Sequence, residues 1–202
     1  MNTGTTTRHA EHHRGLARAL LLGLLLLAPG WAGALTVEQL MAGLAARGPL
    51  RDQFVETKHL SILSGTIEIR GTLEFRPPGY LRREHTAPRV ETYEIDGGTI
   101  TVSQADGKRK QLVLADYPPL AAFVESLRAI LGGDTATVER LFHTELSGDE
   151  ASWSLKLTPR EQPLADYIDV VVLAGERQHL LRIETQEPTG DRSVLEIIPS
   201  QP

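Results

Sequence analysis

Residues Thr66 to Arg76 read Thr-Ile-Glu-Ile-Arg-Gly-Thr-Leu-Glu-Phe-Arg, apolar at each odd position and polar at each even one, apart from Gly71. Side chains on a strand alternate between two faces, so this stretch is a β-strand with one oily and one wet side. Ile67, Ile69, Leu73 and Phe75 share the oily side. Pro77-Pro78-Gly79 ends the strand, because proline has no N–H to give to a ladder. Tyr80 to His85 then returns as an antiparallel neighbour.

The same pattern extends both ways. Leu50 to Leu63 is expected to be a long, bent strand whose alternation is interrupted by Glu56 and Lys58. Val90 to Asp96 and Thr99 to Gln104 flank Gly97-Gly98, a two-residue hairpin turn. Asp106-Gly107 turns the chain into Arg109 to Ala115. Leu50 to Asp116 thus reads as a meander of about six strands. Strands resume at Thr144 to Ser147 and Ala151 to Thr158, where Trp153, Leu155 and Leu157 share a face. They continue through Ile168 to Leu173, a β-branched run expected to be buried on both faces, then Leu180 to Glu187 and Ser193 to Ile198.

Helical signals fall in two places. Leu35 to Arg47 carries Thr36-Val-Glu-Gln39, a capping-box pattern, and ends at Gly48-Pro49. Pro118-Pro119 opens a second helix, with Asp116 the expected cap, and Leu120, Phe123, Val124, Leu127, Ile130 and Leu131 form its apolar stripe. Gly132-Gly133 closes it, and Asp134 caps a short third helix. Helices set into the middle of a meander must lie on one of its faces, and the apolar face is the one that needs cover. If they cover it tightly, its side chains are ordinary core. If they cover it loosely, the space between is a pocket for an amphiphile.

The beginning of the chain reads as a secretory leader, residues 1–34. Arg8, Arg14 and Arg18 precede an apolar run from Ala19 to Ala28, and Ala32-Gly33-Ala34 fits a cleavage site. The run is shorter than the ~20 residues that span a bilayer. The remainder, 35–202, reads as a single domain. The 202 residues include no cysteine, so neither disulfides nor thiolate metal sites are expected, nor a lipid-modified cysteine after the cleavage site. Without Arg8, Arg14, Arg18 and Glu11, the 21 basic and 26 acidic residues become 18 and 25, a net charge of −7. That excess argues against nucleic acid and against an anionic membrane as partner.

Motifs for catalysis are missing. The sequence has no G-x-S-x-G elbow, no phosphate-cradling glycine loop and no H-E-x-x-H. His59, His85, His143 and His179 lack metal-ligand spacing. The chain is therefore expected to be no enzyme and to need neither cofactor nor metal.

The order of motifs resembles a known family. Leader, helix and bent strand are followed by Gly71-x-Leu73-x-Phe75, Pro78-Gly79-x-Leu81-Arg82, Pro88, Asp96-Gly97, the proline-led helix, Trp153-x-Leu155-x-Leu157-x-Pro159 and Gly190-Asp191-Arg192. This is similar to the LolA-like periplasmic carriers of outer-membrane lipoproteins, as a divergent member. The resemblance implies an α+β, mainly β fold: an open, incomplete antiparallel β-barrel with helices as a lid over a hydrophobic cavity. It implies a soluble, monomeric periplasmic carrier that takes acylated lipoprotein from an inner-membrane exporter to an outer-membrane receptor. On that basis the cavity would be lined by Ile67, Ile69, Leu73, Phe75, Ile100, Val102, Trp153, Leu155 and Leu157. Leu120, Phe123, Val124 and Leu127 would form the lid. Carriers of the family latch the lid with an arginine placed before a proline, and Arg76, ahead of Pro77-Pro78, is the candidate. Two alternatives accompany this reading: a regulatory module that senses lipid or a protein partner with the same fold, and an accessory for export of a free lipid or polyene ester.

Overall fold

The computed structural model describes residues 34–200. The expected leader lies outside the described residues, save for Ala34. Eleven strands form one antiparallel sheet. They are β1 (Leu50–His59), β2 (Thr66–Arg76), β3 (Tyr80–Ala87), β4 (Glu91–Asp96), β5 (Thr99–Gln104), β6 (Arg109–Val113), β7 (Phe142–Gly148), β8 (Trp153–Pro159), β9 (Val170–Glu176), β10 (His179–Gln186) and β11 (Arg192–Ile198). Among the described residues three α-helices accompany them: α1 (Val37–Ala46), α2 (Pro118–Gly132) and α3 (Thr135–Leu141).

The strand order is β6-β5-β4-β3-β2-β1-β11-β10-β9-β8-β7. Two meanders, each of sequence-adjacent hairpins, meet where β1 pairs with β11 along Gln53–His59. The outer edges, β6 and β7, do not pair, so the curved sheet stays unclosed. The chain segment between those edges is the one that forms α2 and α3. The interruption of the strand pattern and the opening of the barrel are the same event.

Local chemistry explains the helices. Thr36 Oγ1 accepts from the Gln39 N–H at 3.2 Å and Gln39 Oε1 accepts from the Thr36 N–H at 3.0 Å, a complete capping box. α2 starts on its two prolines, but its cap position is Tyr117, not Asp116, and no side chain bonds there. Proline at the first turn brings no N–H that needs a partner. Gly133 ends α2 with φ of 74°, and a Cβ there would stand 2.7 Å from the Cβ of Ala45. Glycine thus permits both the left-handed stop and the close approach of α1. Asp134 caps α3 by accepting from the Thr137 N–H at 3.0 Å.

Two strands differ from expectation. β1 ends at His59, and Leu60 to Gly65 forms a loop that exposes Ile62 and Leu63. β9 alternates, with Val171, Leu173 and Gly175 buried and Val170, Val172 and Ala174 half-buried, so it has one core face and not two. β-branched residues suit a strand whether or not its outer face is covered.

Candidate functional site

Register fixes which residues share the inner face, because side chains directly opposite one another lie on the same side. Phe75 faces Leu50 and Leu81, Leu81 faces Ile95, and Ile95 faces Ile100. Leu73 faces Arg83, which faces Tyr93, which faces Val102. Beyond the seam, Leu195 faces Ile183, Ile183 faces Leu173, and Leu173 faces Leu155. This is the face on which the helices pack.

The apolar residues on it fall into two unequal clusters. The larger joins Leu155, Leu157, Trp153, Phe142 and Leu173 with Leu40, Met41 and Leu44 of α1, Ala129 and Ile130 at the end of α2, and Val138 of α3. Trp153 is 2% exposed, and its Nε1–H donates to the Arg177 carbonyl at 3.0 Å. Trp153, Leu155 and Leu157, expected to line a cargo cavity, are therefore packed core. Three helices reach this end of the sheet and fill it. The smaller cluster joins Ile100, Leu114 and Val124, with Val102, Leu112, Leu120 and Ala121 partly buried around them. It lies beneath the first half of α2 only.

The expected lid stripe divides in the same way. Val124 is fully buried, Leu120 and Leu127 are half-buried, and Phe123 is 38% exposed. Of the other expected cavity residues, Phe75 and Ile100 are buried, whereas Ile67, Ile69, Leu73 and Val102 are half-buried.

Arg128 ties α2 to the sheet. Its Nε–H donates to the Gly79 carbonyl at 2.8 Å, and Nη2 donates to the Gly97 carbonyl at 2.7 Å. Both acceptors are turn carbonyls, at the β2–β3 and β4–β5 connections. A hollow of ≈ 620 Å³ lies there, between Arg76, the Pro77-Pro78-Gly79 turn, Asp96 and Arg128. Arg76, the expected latch, does not reach α2. It pairs with Glu74 at 3.1 Å and lies over the Tyr80 ring at 3.7 Å. Its even position puts it on the wet face, and it shares the hollow with Arg128 without bonding to α2.

A band of polar side chains crosses the inner face between the clusters. Glu56 is 4% exposed and bonded by the Arg83 guanidinium, which also lies 4.6 Å from the Phe54 ring centre. β2 lies between Arg83 on β3 and Glu56 on β1, and a Cβ on its Gly71 would stand 2.8 Å from Phe54 Cε1 and 1.8 Å from the Glu84 carbonyl oxygen. Arg83 Nε also donates to His85 Nε2 at 2.7 Å. The His85 ring lies 6.0 Å from that of Phe54 and 5.2 Å from that of Tyr93. Burial and then the nearby Arg83 hold His85 below the ordinary histidine value of 6.5. Burial, with a hydrogen bond from its hydroxyl to Glu91 at 2.9 Å, pushes Tyr93 upward.

A family model described as "Outer membrane lipoprotein carrier protein LolA-like" matches residues 29–196. The chain belongs to that family. Among solved structures this LolA-like chain is similar to the LolA superfamily protein NE2245 from Nitrosomonas europaea. They are 12% identical with a TM-score of 0.43, covering 84% of this chain and 96% of that one. The MucA/MucB complex of Pseudomonas aeruginosa gives 14% identity and a TM-score of 0.44, covering 82% of this chain and 59% of that one. A putative outer membrane lipoprotein-sorting protein domain from Vibrio parahaemolyticus gives 9% identity and a TM-score of 0.38, over 79% and 89% of the two chains. The search of curated proteins returned no match.

Sequence reasoning missed the polar band of this LolA-like protein. Glu56 and Lys58 signalled it by breaking the alternation of β1, yet they remain on the inner face, opposite Ile69 and Ile67. It also missed Arg128, which at helical spacing reads as one solvated cation. A third missed feature is Asp52, buried at 2%, which pairs with Arg47 at 2.9 Å and accepts from the Ser200 N–H at 2.9 Å. That carboxylate joins the end of α1 to the segment after β11. Among the described residues no helix is long and apolar enough to cross a membrane.

Proposed function

We propose that the chain carries an acylated amphiphile, a lipoprotein or a related lipid, between membranes of the cell envelope. The observation behind this reading is the unequal anchoring of α2. Its last turn is built into the large core, whereas in its first half only Ala122 packs against that core and Leu120, Ala121 and Val124 rest on the small cluster with Ile100 and Leu114. Two hydrogen bonds from Arg128 to turn carbonyls and the ion pair of Glu125 with Arg140 on α3 add to the attachment. Such a half-helix can lift while the rest of the domain stays folded. Lifting would uncover Ile100, Val102, Leu112 and Leu114 beside half-buried Ile67, Ile69 and Leu73.

The energetics suit transfer. Each CH₂ of an acyl chain gains ~0.8 kcal/mol on leaving water. A single chain therefore supplies enough to displace the small cluster beneath α2. Cargo shifts the helix toward the lifted state without needing to create it. The polar band supplies groups for the head of the amphiphile, while its tails lie on the oily side. In this reading Arg128 takes the latch role first expected of Arg76. Residues 1–34 act as a cleaved leader, the domain works as a monomer in the periplasm, and an inner-membrane exporter and an outer-membrane receptor are its partners.

The test is uptake of a fluorescent fatty-acyl probe. Leu127→Glu places a charge where tails would lie and should weaken uptake at least ~tenfold, the cost of burying an unpaired charge. Unchanged uptake in a folded Leu127→Glu protein would remove α2 from the binding site and overturn the carrier reading.

A further inference from the structure

The open edge at β6 carries a second, independent feature. Two flanking hydrogen bonds fix the ladder between β5 and β6: Gln104 N–H to Lys108 O at 2.9 Å, and Leu114 N–H to Gly98 O at 2.8 Å. Bonded and unbonded pairs alternate along an antiparallel ladder. Lys110 and Leu112 therefore turn their backbone groups toward β5, and Arg109, Gln111 and Val113 turn theirs outward. Among the described residues no strand lies on that side. This is a row of free donors and acceptors, the usual site for an added strand.

The side chains on this edge select what can be added. Lys108-Arg109-Lys110 is a basic run in a chain of net charge −5. Lys108 pairs with Asp106 at 2.7 Å, but Arg109 and Lys110 are exposed and make no ion pair among the described residues. Arg109 faces Ser103 and Lys110 faces Val102, so one cation stands on each face of the sheet edge. At the other end of β6 Val113 is 53% exposed, and Tyr117, which follows in the chain, is 44% exposed. A second copy adding through β6 would bring one basic run against another, which like charges oppose. A strand with carboxylates toward one end and an apolar residue at the other meets every feature of the edge.

We propose that β6 is a docking edge for an extended acidic segment of a partner protein, bound by strand addition. This stands apart from the carrier reading and does not depend on it. The probe is a short fluorescein-labelled peptide with consecutive glutamates at one end and valines at the other, followed by anisotropy against the full chain. Arg109→Glu with Lys110→Glu should weaken binding about tenfold or more, as reversal of charge complementarity does. Gln111→Pro removes an outward N–H while leaving the ladder to β5 and both cations in place. It should abolish peptide binding, and a proline in the middle of the peptide should do the same. Unaltered binding to the Gln111→Pro protein would reduce the site to a general basic patch and overturn strand addition. So would absence of peptide binding, or binding of phosphatidylglycerol-containing vesicles that the peptide does not displace.

Discussion

Arg128 and Gly79 are fitted to each other: the guanidinium donates to the Gly79 carbonyl at 2.8 Å, and a Cβ on Gly79 would stand 2.9 Å from the same Nε. The turn after β2 is therefore both the acceptor for the central helix and the gap through which it is held. Replacing Arg128 by alanine removes both charged donors. It should cost ~1.5–3 kcal/mol of unfolding free energy in denaturant titration. Amide exchange should quicken over residues 120–127 and stay slow over 129–131, which belong to the large core. Lysine should not restore protection, because its single ammonium cannot span two carbonyls as the planar guanidinium does.

Gly71 lets the strands on either side of β2 close up. Its missing side chain admits Phe54 from β1 and the Glu84 backbone from β3. Gly71→Ala must displace a backbone oxygen and should lower stability by about 1–3 kcal/mol or more, as overpacking does. The urea midpoint would report this, and an unchanged midpoint would contradict the crowding.

His85 predicts a mild acid sensitivity. Because the folded ring titrates below 6.5, the unfolded chain takes up a proton first as pH falls. Stability then declines below about pH 6.5 until the folded ring also protonates, where the decline stops. Protonation also ends the acceptor role of Nε2 toward Arg83. Glu184 acts in a lower window. Burial works to raise its carboxyl, but hydrogen bonds from Arg192 and Arg182 bring it below the ordinary 4.5. Its contribution is present above that value and lost as pH falls through the folded value. His85→Asn should flatten the loss of urea stability between pH 7 and pH 5 and leave the steeper acid limb.

Leu155 and Phe123 lie at opposite extremes of exposure among the residues first expected to meet cargo. Leu155→Ala should cost about 2–5 kcal/mol, the range for a buried leucine that leaves a cavity. Phe123→Ser should cost less, about 1 kcal/mol, because part of its ring already meets water. Matched thermal melts would show the contrast.

The strand ladder was legible because its signal is local. Thr66 to Arg76 declares its two faces by alternation, and the paired glycines, Asp106-Gly107 and Pro77-Pro78 mark the turns. The capping box, the paired prolines and the glycine stops located the helices within two residues. Which apolar residues would be core was not legible, since Leu155 and Leu73 carry the same period-two signature. Their difference lies in how many helices reach each end of the sheet, a property of chain geometry and not of either residue. The latch expected of Arg76 poses a related problem. The sequence shows a basic residue near a proline, but strand parity sends it to the wet face, and a residue on the helix makes the contact instead.

The junction of β1 with β11 has a consequence for how the domain assembles. Each meander is made of neighbours in sequence and can zip up early from its own hairpins, whereas the junction must bring Gln53 to His59 against residues more than a hundred positions away. Long-range closure of this kind is slow, because its entropy cost is met before its contacts are made. This one ladder is therefore expected to limit the rate of acquiring the native state, which stopped-flow refolding would measure. Substitutions at Phe54 or Leu195 should slow folding, while those in the β4–β5 hairpin should chiefly hasten unfolding.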